Sequence, residues 1–101
     1  MAKGYWVGHG DVSNPEGYKD YVARNGPVFA KYKGRFLIRG GQSSSAEGST
    51  RSRTVVIEFP DYDTALACYN SPEYQELVKL RSQHAKNDIV IVEGYEGPQP
   101  A

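Results

Sequence analysis

The run Arg53–Arg81, RTVVIEFPDYDTALACYNSPEYQELVKLR, constrains the fold more than any other stretch of the chain. Thr54–Phe59 is an almost continuous apolar run that stops at Pro60, which predicts a buried strand followed by a turn. Asp61 can cap a short helix whose inward stripe is Ala65, Cys68 and Tyr69. Ser71-Pro72-Glu73 then restarts a second helix: a capping hydroxyl, proline at the first position and an acid in the first turn. Tyr74, Leu77, Val78 and Arg81 share one side of that helix.

The remaining segments read as what this unit packs against. Lys3–His9 alternates, with Tyr5, Val7 and His9 on one face and Gly4, Trp6 and Gly8 on the other. The glycines leave room on that second face for something bulky. Asp11–Asn14 is turn chemistry, and Asn14-Pro15-Glu16 opens a helix in which Tyr18, Tyr21, Val22, Phe29 and Tyr32 recur at roughly helical spacing. Asn25-Gly26-Pro27 should kink or split it, and Gly34 should stop it. Arg35–Arg39 predicts a second strand, Gln42–Ser52 a polar mobile loop or hairpin tip, and Asp88–Glu93 a fourth strand.

The order β-α-β-β-α-β predicts an α+β, ferredoxin-like domain over residues 1–94, with a C-terminal tail at 95–101. Its four-stranded antiparallel sheet carries helices on one face only. Yet TVVIEF and IVIV are apolar on both faces, so the bare side needs a cover that the chain does not contain. A second copy of the same sheet is the economical answer, which predicts a homodimer built sheet to sheet.

Composition narrows the function classes. Twelve basic residues balance twelve acidic ones, so nothing favours nucleic acid or an anionic membrane surface. One cysteine excludes an internal disulfide and suits a reducing compartment. No apolar run reaches membrane-spanning or signal-peptide length, and a cytoplasmic protein is the expectation. His9, His84 and Cys68 lack ligand spacing, so neither metal nor other cofactor is expected.

RFLIRGG (Arg35–Gly41), RTVVIEFP (Arg53–Pro60) and YNSPEYQ (Tyr69–Gln75), with KGYW near the start and IVIVEG near the end, resemble the domain-of-unknown-function family 1330. The resemblance runs over about residues 3–94 and implies a dimeric α+β barrel of the ferredoxin-like group. That architecture includes cofactor-free quinol monooxygenases, EthD-like proteins and stress-responsive barrel proteins. Asp61 stands where a small hydroxyl residue is common in the family.

Several residues are candidates for chemistry. His9 ends the first strand, and an imidazole there suits a general base or a plain turn contact. Glu58 interrupts an apolar strand and can act as acid or base, or simply pair with an arginine. Arg39 and Arg53 flank the long loop and can clamp an anionic oxygen, or pair with Glu58 or Glu93. Trp6, Tyr69 and Tyr74 can line a pocket between helices and sheet for a flat apolar molecule, or pack as core. Cys68 reads as a small packed hydrophobe. Two classes of function therefore stand. One is a small-molecule-binding barrel, acting as a cofactor-independent enzyme on an aromatic or carbonyl compound. The other is a non-catalytic dimerisation or stress-related barrel.

Overall fold

The computed structural model describes residues 2–100; Met1 and Ala101, the outer ends of the expected domain and tail, lie outside the described residues. The chain forms β1 (Gly4–Val12), α1 (Pro15–Lys31), β2 (Arg35–Arg39), β3 (Arg53–Phe59), α2 (Tyr62–Asn70), α3 (Pro72–Ser82) and β4 (Ala85–Glu93). The strands make one antiparallel sheet in the order β2-β3-β1-β4. This is the ferredoxin-like arrangement, with the second helical segment divided in two.

That division is local chemistry. The Ser71 hydroxyl donates to the Cys68 carbonyl at 2.7 Å and accepts from the Tyr74 N–H at 3.2 Å, closing α2 and capping α3 with one buried side chain. Asn14 and Asp61 cap α1 and α2 in the same way, through the N–H groups of Gly17 and Thr64.

Four expectations are corrected. Helix α1 is one element through Pro27, so the proline does not split it. Proline leaves the Ala23 carbonyl without its helical donor, but Ala23, Gly26 and Pro27 are all exposed, so water can take that place. The left-handed residue after α1 is Lys33 (φ 62°), while Gly34 returns its N–H to the Phe29 carbonyl at 2.8 Å. The first strand continues through Val12, beyond the expected turn at Asp11. It does so because β4 starts at Ala85 and pairs with it to the end. The end of the long loop is anchored to the sheet: Ser52 bonds Asp11 through N–H and hydroxyl, and the Arg51 guanidinium bonds Asp11 and Asp88.

The core lies between sheet and helices. Trp6, Tyr21, Phe29, Ile57, Phe59, Ala65, Cys68, Tyr74 and Leu77 form one buried cluster. Trp6 is its hub, with Phe29, Phe59, Tyr69 and Tyr74 ring centroids 4.8–5.6 Å away and its indole N–H donated to the Ala65 carbonyl at 2.8 Å. The opposite face of the sheet is bare. Val7, Ile38, Val90 and Val92 are exposed on it, Val90 at 56% and Val92 at 43%.

At Gly4 the α2 entry presses against the strand: an added Cβ would overlap the Asp61 carbonyl, a backbone atom that cannot move aside. Gly4→Ala is expected to cost about 1–3 kcal/mol by overpacking. Gly26→Ala, whose Cβ would meet nothing within 4 Å on an exposed helical turn, should stabilise by about 0.5–1 kcal/mol. Urea midpoints of the two variants, moving in opposite directions at constant slope, check this.

Candidate functional site

The inner face of β1 carries Trp6 between glycines, and where Gly8 and Gly10 present no side chain the helical layer does not close onto the sheet. A cleft opens there, bounded by the three longer strands, α1, α3 and the end of β2. Its cavity measures about 50 Å³. Rings form much of the wall, Trp6, Tyr18, Tyr21, Phe29, Phe36 and Tyr74 among them. At Gly10 a Cβ would run into the Asn87 amide, so only glycine keeps this end open.

The deep end is polar. Tyr74 is 1% exposed and its hydroxyl lies 2.6 Å from that of Tyr21; Arg81, 7% exposed, donates Nη1 to the Tyr74 oxygen at 2.7 Å. One hydroxyl proton suffices to join the two tyrosines, which leaves the pair one further donor. Burial, reinforced by the neighbouring Tyr21, pushes the Tyr74 hydroxyl far above the ordinary phenol range, so it stays protonated. Around this pair three buried side-chain atoms have no hydrogen-bond partner: Asn25 Oδ1, Arg81 Nε and Asn87 Nδ2. All three residues line the cleft.

Arg39 and Arg53 stand at its mouth. A bulge between Phe36 and Ile38 shifts the register of β2, so that Phe36 opposite Ile57 and Arg39 opposite Val55 face the same way. The Arg39 guanidinium stacks on Phe36 at 4.0 Å, and Arg53 donates to the Tyr18 hydroxyl at 3.2 Å. Neither is paired with Glu58 or Glu93. Glu58 lies on the bare face of the sheet, bonded by the Tyr5 hydroxyl at 3.1 Å and 3.6 Å from Arg35. His9 borders the cleft between the two glycines, but strand alternation turns its ring to the bare face, where Nδ1 accepts the Arg51 N–H at 2.9 Å and Nε2 faces Asp88 at 3.9 Å.

Of the residues singled out from sequence, Trp6, Arg39, Arg53 and Tyr74 thus meet around one cleft, whereas the His9 ring lies on the bare face. Tyr69 packs behind Trp6 and Tyr74 without reaching it, and Glu58 lies on the other face. Sequence reasoning missed the polar end: Asn25, Arg81 and Asn87. A signal was present for two of them. Asn25 falls four residues from both Tyr21 and Phe29, and Arg81 four from Leu77, polar groups on otherwise apolar helical stripes. Among the described residues no cluster of histidine, cysteine and acids has metal-binding geometry.

Tyr74→Phe removes the acceptor of a buried guanidinium and should destabilise by about 1–3 kcal/mol in urea melts. Cys68 is fully buried and burial pushes its thiol up to about 12. At pH 8 a thiol reagent should label it only after denaturant is added, and fast labelling of the folded protein would contradict the burial.

Comparisons with known proteins agree with this architecture. The structure superposes on the RPA0582 protein of unknown function from Rhodopseudomonas palustris with a TM-score of 0.72, at 19% identity, over 95% of this chain and 85% of that one. It also matches SnoaB, a cofactor-independent oxygenase from Streptomyces nogalater (TM-score 0.64, 14% identity, 99% and 97% covered). A dimeric ferredoxin-like protein of unknown function from Thermobifida fusca gives a TM-score of 0.62 at 10% identity, covering 91% of each chain. No curated protein matches the sequence. The model of the family Domain of unknown function (DUF1330) matches residues 3–95, and the chain belongs to that family.

Proposed function

We propose that the protein is a small-molecule-binding, cofactor-independent enzyme of the dimeric α+β barrel type, acting on an aromatic or carbonyl compound in the cleft between helices and sheet. The observation that carries this reading is the gathering of all three buried, partnerless polar atoms on one cleft. An orphaned buried polar atom costs about 1–3 kcal/mol. Three such atoms from three elements, on residues that line one ring-walled space, make sense if a polar occupant completes them. The fold it shares with a cofactor-independent oxygenase is compatible with such chemistry. Arg81 and the tyrosine pair would hold an oxygen that gains charge, with Arg39 and Arg53 at the entrance. His9 borders the cleft between Gly8 and Gly10, but its ring lies on the bare face with Arg51 and Asp88, so this reading gives it no proton to move.

A second copy of the chain completes the particle in this reading. The valines and isoleucine exposed on the bare sheet face are each worth roughly 1.5–3 kcal/mol when fully buried, and the Thermobifida fusca protein of the same fold is dimeric. Sedimentation at micromolar concentration should give twice the chain mass of 11.2 kDa. Val90→Glu should return it to a monomer. A wild-type monomer would overturn the dimer.

A second reading, a non-catalytic dimerisation or stress-related barrel, is favoured by the engaged His9 ring and the small cavity. A thermal-shift screen of aromatic and carbonyl metabolites separates the two. The enzyme reading expects stabilising compounds whose effect falls in Arg39→Ala, a variant that should melt normally because Arg39 is exposed. Absence of any stabilising compound across the screen favours the second reading.

A further inference from the structure

The guanidinium of Arg81 is buried, yet among the described residues no carboxylate pairs with it. A buried cation without a counter-charge is expensive, and proteins normally supply an acid beside it. Here none of the cleft's lining residues is aspartate or glutamate, although the chain contains twelve acids. Three arginines, Arg39, Arg53 and Arg81, line the same space. Overall neutrality therefore conceals a cleft with one buried arginine inside and two more at its mouth.

We propose that the cleft takes the carboxylate of a small organic monoacid, with Arg81 as its principal anchor. This rests on the binding reading above and names the ligand class for the same site. The guanidinium geometry is specific. Nη1 is committed to Tyr74, whereas Nε has no partner. Nε lies on the edge of the group that meets a carboxylate side-on through two parallel bonds. The Asn87 amide N–H, on the sheet side, and the spare hydroxyl proton of the tyrosine pair, on the helix side, are further donors among the lining residues. Asn25 Oδ1 is an acceptor, suited to a hydroxyl or N–H beside the acid group.

Size agrees with this assignment. A cavity of about 50 Å³ holds a carboxylate and little more. The rest of the ligand must lie toward the mouth, between Phe36, Tyr18 and the side chains of Arg39 and Arg53, which favours a flat body.

The chain's one tryptophan, Trp6, lines the cleft, so its indole N–H resonance reports on occupancy. Benzoate, benzamide and benzyl alcohol are titrated into the full-length protein at matched ionic strength. Benzoate is expected to move the Trp6 signal and to bind at least tenfold more tightly than either neutral probe. Arg81→Gln should abolish that preference. Should Arg81→Gln fail to fold, Asn87→Asp keeps the guanidinium and places a negative charge in the cleft. It should weaken benzoate at least tenfold while sparing benzyl alcohol. Equal binding of benzoate and benzamide, or a preference for benzoate that survives these variants, overturns the carboxylate assignment and leaves the cleft as a binding site. No response of Trp6 to any of the three probes removes both the assignment and the binding reading for this ligand size.

Discussion

The inner face of β1 offers the helical layer one large side chain, Trp6, among three glycines, with Val12 at the strand's end, and the molecule is arranged around that asymmetry. On one side of Trp6 the glycine at position 4 lets the α2 entry sit against the strand, and four rings converge on the indole. This end is dry and filled. On the other side Gly8 and Gly10 leave the space unfilled, and the cleft occupies it. Core and cleft are thus two outcomes of one strand pattern, and a larger residue at position 10 would convert one into the other by displacing Asn87.

The polar end of the cleft is costly to maintain without an occupant. Tyr74 joins Tyr21 to Arg81 in a buried hydrogen-bonded chain, but Arg81 Nε, Asn25 Oδ1 and Asn87 Nδ2 have no partner among the described residues. Replacement of such a set by apolar residues would make a better core. Its retention beside an all-basic, ring-lined opening is the physical case for a bound molecule, and it is independent of any structural relative.

The two faces of the sheet answer different problems. The helix face combines packing with the cleft. The bare face carries its polar contacts toward the edges of an apolar centre, Tyr5–Glu58–Arg35 at one end and His9–Asp88–Arg51–Asp11 at the other. Glu58, an attractive catalytic candidate when read as a lone acid in an apolar strand, belongs to the first of these groups. The ambiguity lay in strand parity: alternation separates the faces of a strand but does not say which one meets the helices.

Much of the architecture was legible in the sequence, because it depends on short-range chemistry. The caps at Asn14, Asp61 and Ser71 and the strands apolar on both faces all act over a few residues, and the three helices start where these placed them, whereas β1 and β4 run longer because they pair with each other. The candidate site was legible only in part. Trp6, Tyr74 and the two loop-flanking arginines could be named, but their convergence could not. Arg39 faces the cleft because a bulge at Leu37 reverses the parity of β2, and that bulge exists only when β2 is paired with β3. Asn25, Arg81 and Asn87 come from α1, α3 and β4, separated by up to 62 residues of chain. Local pattern determines which residues face inward; long-range strand pairing and helix docking decide which of those, once inside, meet one another.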